Sequence, residues 1–291
     1  MKRSQFLRLS LLGGLGSLGT LAGHGLWPAS AQAATVQVQR RTVGPYSFYL
    51  TTFDLRDPNN FITISLANNA PQANTQQRGY GDEAFGPWVQ RLHAAAVLNG
   101  TFFAKSPQQA VMGNMVAGGR FLKYSQWENF GTTLGLRVGN RPEMITARAE
   151  GKPQWQSHWF SITCGPRLLR QGQVWINPAL EGFSDPNVLN GAADRTAVGF
   201  PADGSKLYFV NFDSSLTLQQ EANVMRSIGC AEAMNLDGGA SRALASGYRV
   251  LVPAGRELTN VIALYDQSHP ATTALRQSWE QFQREGQVRT S

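Results

Sequence analysis

The chain has 291 residues, of which 42% are hydrophobic and 15% charged, and a net charge of +7. That apolar content suffices for a proper core, while the scattered lysines and arginines argue against a patch that tracks nucleic acid. Two cysteines and four histidines without ligand spacing argue against a Cys/His metal site, and no cofactor is implied.

The N-terminal residues have the three-part layout of a secretory signal. Lys2, Arg3 and Arg8 precede an apolar, glycine-rich run from Leu9 to Gly23, and Ala31-Gln32-Ala33 supplies the small-residue ending. We expect cleavage before Ala34, giving a signal peptide over 1–33 and export to the periplasm, cell envelope or exterior. The alternative is an uncleaved anchor, since Leu9 to Trp27 approaches the ~20 residues that span a bilayer. Ser4 stands where a twin-arginine signal has its second arginine, so the route stays open. Removing the leader lowers the net charge to +4. No later segment is apolar enough to span a membrane.

Downstream, period-two alternation predicts strands at Thr35 to Gln39, Tyr46 to Asp54 and Phe61 to Leu66. The polar stretch Asn68 to Tyr80, with Pro71, reads as a loop or lid. A short helix over Phe85 to Arg91 leads into a strand from Ala94 to Leu98. Further strands are expected at Gly131 to Val138, Trp159 to Thr163 and Ala197 to Pro201. Lys206 to Asn211 reads as a buried strand, Thr217 to Ile228 as a helix with apolar positions at Leu218, Ala222, Met225 and Ile228, and Ala231 to Leu236 as a strand. That order suggests a crossover with locally parallel pairing, placing the following Asp-Gly-Gly at the carboxyl end of a strand. The polar tail reads as a peripheral helix or frayed end. The fold expected is α/β or α+β: a single domain over 34–268 with a mixed, strand-rich twisted sheet, a few flanking helices and a tail over 269–291.

Four motifs combine glycine with polar residues at the ends of apolar runs. They are Asn99-Gly100-Thr101-Phe102-Phe103, Gly165-Pro166-Arg167-Leu168, Arg195-Thr196-Ala197-Val198-Gly199 and Asn235-Leu236-Asp237-Gly238-Gly239-Ala240-Ser241. Each by itself reads more readily as a structural turn, or for Arg195 as a surface residue, than as a site. A carboxylate followed by two glycines does leave backbone amides open to close approach, and an arginine fork suits phosphate or carboxylate.

Together and in this order, with Arg256-Glu-Leu-Thr-Asn260 after them, the motifs resemble the phosphodiester glycosidase family over about Val97 to Leu264. Ala240 and Arg242 depart from the family's Asp-Gly-Gly-Gly-Ser loop, and the acid after Thr217 appears at Glu221, one place late. The resemblance implies an exported hydrolase that releases a sugar from a sugar-1-phosphodiester, an O-glycosyl hydrolase acting on envelope or extracellular glycans. A phosphate ester leaves as a stabilised anion, so a proton-donating carboxylate is less necessary than in ordinary glycosidases. On this reading Asp237 is the base or nucleophile, and Arg195 and Arg256 hold the phosphate with the Gly238 and Gly239 amides. Asn99, Asn235 and Asn260 bond sugar hydroxyls. Gly100, Arg167, Thr196 and Ser241 complete the candidate site. The rival reading is a non-catalytic glycan-binding or envelope-structural module of the same fold. Export, and positions just before the Gly-Pro turn and the Asp-Gly-Gly strand, suggest a disulfide between Cys164 and Cys230, two separate buried thiols being the alternative.

Overall fold

Short alternating segments separated by glycine turns build strands, and seventeen of them organise the described residues into three sheets. The computed structural model describes residues 36–105, 108–186 and 191–288. The expected leader and its cleavage site lie outside the described residues.

The first sheet has seven strands: β1 (Val36–Val43), β2 (Tyr46–Asp54), β10 (Arg167–Arg170), β11 (Gln173–Val174), β12 (Ala193–Phe200), β13 (Lys206–Leu216) and β14 (Glu232–Asn235), ordered β1-β2-β13-β12-β14-β10-β11. The second comprises β3 (Phe61–Leu66), β4 (Ala96–Asn99), β15 (Leu244–Ser246), β16 (Arg249–Val252) and β17 (Asn260–Tyr265), ordered β16-β15-β4-β17-β3. The third comprises β5 (Met115–Ala117), β6 (Arg120–Lys123), β7 (Thr132–Arg137), β8 (Arg141–Thr146) and β9 (Phe160–Cys164), ordered β6-β5-β9-β7-β8. Five α-helices lie among the described residues: α1 (Phe85–Leu92), α2 (Ala147–Glu150), α3 (Pro178–Glu181), α4 (Leu218–Ser227) and α5 (Thr273–Glu285). The architecture is therefore α+β, and Ala34–Ser291 forms one unit.

The expected parallel pairing across Lys206 to Leu236 is corrected. β12 inserts between β13 and β14 and pairs antiparallel with both, so Ala197 faces Val210 on one side and Asn235 on the other. Gly199 makes the insertion possible: a Cβ there would stand 2.5 Å from the Glu232 carbonyl oxygen and 2.9 Å from the Cys230 sulfur. Every pairing between the named strands is antiparallel.

The central strands of the seven-stranded sheet are buried on both faces, with successive side chains directed to opposite cores. Leu207 and Phe209 join Phe53, Val198 and Met234 in a core shared with the other two sheets. Val210 and Phe212 join Phe48, Leu50 and Ala197 beneath α4, which contributes Leu218, Ala222 and Met225. Thr217 caps α4 through a capping box. The Gln220 amide donates to the Thr217 hydroxyl at 3.3 Å, and the Thr217 amide donates to the Gln220 side chain at 2.9 Å. The residue that displaces the family's acid thus starts the helix, and Glu221 turns into the sheet. Among the described residues no helix is long and apolar enough to cross a membrane. The tail forms α5, whose Trp279 meets Phe61 edge-on.

Candidate active site

The carboxyl ends of β4 and β14 meet where the first two sheets touch, and Asn99 joins them. Its side-chain amide donates to the Asp237 carbonyl at 2.6 Å and to the Thr196 hydroxyl at 3.1 Å, while its oxygen accepts from the Ala243 amide at 3.1 Å. Thr196 donates to the same Asp237 carbonyl at 2.8 Å. Two polar side chains therefore fix the backbone of the Asp-Gly-Gly turn and leave its carboxylate to Arg256.

Asn260, the first residue of β17, clamps the neighbouring turn. It accepts from the Thr101 amide at 2.8 Å and donates to the Thr101 carbonyl at 3.2 Å. Only glycine fits beside it, because a Cβ on Gly100 would fall 1.9 Å from the Asn260 side-chain oxygen. Gly238 is constrained alike, with the Asp194 carbonyl oxygen 2.3 Å from a Cβ built there. Gly239 takes the left-handed φ of +56°, which spares Ala240 that conformation and explains why alanine is accepted in the loop.

The buried Asp237 carboxylate is held by Arg256. Its Nη2 donates to Asp237 Oδ2 at 3.0 Å and its Nε to Ser241 Oγ at 2.6 Å, so one fork grips both ends of the Asp-Gly-Gly-Ala-Ser turn. The guanidinium carbon lies 4.3 Å from the centre of the Phe103 ring. The Asp237 side chain is 7% exposed and that of Arg256 38%, so the cation forms the solvent-side wall. Burial raises the Asp237 carboxyl above its ordinary value, opposed by the Ser241 hydroxyl, the Arg256 charge and the Gly238 amide. The result is a desolvated carboxylate with a matched, reachable cation. Among the described residues no group of three or more His, Cys, Asp and Glu side chains could hold a metal ion.

The profile of the phosphodiester glycosidase family matches residues 93–265, a span that includes all of these groups. The chain belongs to the phosphodiester glycosidase family. Several solved structures share the fold, among them the following three. The catalytic domain of zebrafish N-acetylglucosamine-1-phosphodiester alpha-N-acetylglucosaminidase, auto-inhibited by its pro-peptide, matches with a TM-score of 0.63 and 17% identity over 80% of this chain and 83% of that one. A hypothetical protein from Synechocystis gives 0.57 and 16% over 80% of this chain and 62% of that one. A protein of Burkholderia pseudomallei K96243 described as exported gives 0.53 and 15% over 77% and 75%. Among proteins of curated function, none matches at the sequence level.

Within this phosphodiester glycosidase domain, Asn99, Gly100, Thr196, Asp237, Gly238, Gly239, Ser241, Arg256 and Asn260 come together as described. Arg195 does not join them. It follows the opposite face of β12 from Thr196, as adjacent strand residues must. There it donates to the Leu216 carbonyl at 2.6 Å and the Gly191 carbonyl at 3.0 Å, with Glu221 at 3.7 Å. Arg167 is likewise turned away, buried between Glu150 and Glu232, with its amide donating to Glu181 at 2.8 Å. Asn235 shares the helix-facing side with Ala197 and donates to the Gly165 carbonyl at 3.1 Å, tying the Gly-Pro turn to β14. These three are structural members of the motifs rather than walls of the Asp237 site.

The expected disulfide is also corrected: Cys164 and Cys230 are free and buried. Cys164 lies in the core between the sheets and Cys230 in the core beneath α4, with the seven-stranded sheet between them. Burial pushes the Cys164 thiol up to about 12 and raises Cys230 as well. Three groups to which the sequence assigned no role support the site. Phe103 backs Arg256, Thr101 donates to the Thr163 carbonyl at 2.5 Å, and Arg242 spans from the Phe212 carbonyl to Asp194, fastening the 239–241 turn to the first sheet. The Asn-Gly-Thr-Phe-Phe motif contained the signal for the first two.

Proposed function

We propose that the protein is an exported hydrolase that releases a sugar from a sugar-1-phosphodiester. The observation that carries this is the Arg256 fork closed on Asp237 and Ser241 at the exposed rim of a desolvated turn. The family assignment and the name of the zebrafish relative add to it.

In the reaction, the bond between the anomeric carbon and the bridging phosphate oxygen breaks, and the phosphate monoester leaves with the electron pair. Asp237 either takes a proton from the attacking water or attacks the anomeric carbon itself. Arg256 stabilises the charge that gathers on the departing phosphate, a task that suits its planar fork and partial exposure. Arg195 serves the fold through Leu216 and Glu221 and contributes no phosphate contact.

Asp237→Asn tests the proposal, because it keeps the shape of the side chain while removing the ionised acceptor. Release of free sugar from an aryl or nucleotide-linked sugar phosphate is expected to fall by roughly a hundredfold or more, with an unchanged melting temperature. Turnover at the parent rate would make Asp237 a turn residue only. Hydrolysis in heavy-oxygen water separates the chemistries: label enters the sugar if this reading holds and the phosphate if the protein is a phosphodiesterase. Saturable glycan binding without release of sugar from any such substrate would identify a binding module.

A further inference from the structure

One cleft of about 960 Å³ lies beside the Arg256–Asp237 pair and is not used by the reaction. Phe103 and Ala104 link the two. Phe103 points its ring at Arg256 and bridges to Val111, while Ala104, whose amide donates to the Ala110 carbonyl at 2.8 Å, lines the cleft together with Ala110 and Val111. The volume is at the upper end of the ~300–1,000 Å³ typical of small-molecule sites, more than one sugar needs.

The lining combines two kinds of chemistry. Gln72, Gln76, Gln77 and Arg78 present amides and a cation from the segment that reads as a loop or lid in the sequence. That segment is built in. The Ala73 amide donates to the Leu122 carbonyl at 2.9 Å, the Val111 amide to the Asn74 carbonyl at 3.0 Å, and buried Asn74 donates to the Gly81 carbonyl at 2.9 Å. A turn in which the Thr75 amide meets the Arg78 carbonyl at 2.7 Å sets the glutamines at the rim.

Tyr124 also lines the cleft, half exposed yet braced, with ring centres 4.6 Å from Phe121 and 6.3 Å from Trp155. Ser125 beside it is pinned by Asn114, which accepts from its amide at 2.8 Å and donates to its carbonyl at 3.0 Å. Lys123 and Glu128 pair at 3.7 Å, so the cleft keeps one surplus cation in Arg78. A braced aromatic ring and a row of amides lining one cleft can stack on the apolar face of a pyranose and bond its hydroxyls.

We propose that this cleft binds an oligosaccharide chain, neutral or weakly acidic, as the polymer that carries the phosphodiester into the Asp237 site. The link to the substrate rests on the hydrolase reading, whereas the binding itself does not. Both can therefore fail separately.

The test measures binding of the whole exported chain to a glycan array running from mono- to hexasaccharide, neutral and uronic-acid-containing, with sugar release from an aryl sugar phosphate measured in parallel. At least one series is expected to gain affinity with chain length. Tyr124→Ala and Gln76→Ala, both at exposed positions, should each weaken that binding, the former by about tenfold. Neither should change the melting temperature or the rate on the short aryl substrate. Absence of a chain-length gain in every series, or a gain that both variants retain, would overturn the cleft as a glycan site. Length-dependent binding lost in Tyr124→Ala, in a protein that releases no sugar, leaves the cleft standing and removes only the hydrolase reading.

Discussion

At the scale of single residues, the site depends on which side of a strand each group falls. Thr196 and Arg195 are neighbours in one motif, yet one supports Asp237 and the other is sealed beneath α4. Arg256 is the cation that remains within reach of the carboxylate, and its effect on Asp237 has a definite sign. Burial raises that carboxyl and Arg256 opposes the rise, so removing the charge must move it higher. Activity that needs the ionised form appears as pH rises through this value. In Arg256→Gln the acidic limb of kcat/KM should therefore move to higher pH, which a pH–rate profile would measure; an unmoved limb would separate Arg256 from the reacting carboxylate. Gly100 offers a steric test. Gly100→Ala forces a methyl against the Asn260 oxygen 1.9 Å away, and overpacking of this kind costs about 1–3 kcal/mol. A denaturant melt should register that loss together with lower activity, because the Thr101 clamp opens.

At the scale of elements, β2 and β3 appear where alternation predicts them, and α1 and α4 within a residue or two, because each carries its own period. The short strands β5, β6, β15 and β16 have no such internal signal and exist through their partners. In α4, Glu221 is a consequence of the capping box, which spends Gln220 at the helix start and turns the next side chain inward. Burial pushes its carboxyl up to about 8 from 4.5, only partly offset by Arg195, and neither carboxyl oxygen has a hydrogen-bond partner among the described residues. The folded state then holds this proton more tightly than the unfolded chain, so the stabilisation is complete below about 4.5 and declines as pH rises towards 8. Glu221→Gln removes that slope. Compared with the parent, the variant should gain relative stability between those limits and hold a constant difference above them, as thermal melts across pH would show.

At the scale of the whole molecule, the two thiols are divided by the seven-stranded sheet, and folding protects both. Alkylation should reach neither Cys164 nor Cys230 in the native protein, and both after unfolding without reductant; a bridge would leave both unreactive until reduced. Reductant should leave the melting temperature unchanged. The sequence by itself determined the strand-rich character, the family and the identity of the Asp237 turn, because alternation, glycine turns and motif order are all local properties of the chain. It also located Asn99, Asn260 and Arg256 as site candidates, though not what each holds. Only the tertiary structure decided that β12 divides β13 from β14, that Arg195 and Arg167 serve the fold, and that the cysteines stay apart. Those outcomes depend on which strands become neighbours and which face meets a helix. That choice is made by long-range packing, such as the gap at Gly199 that admits β14, and no period within a segment encodes it.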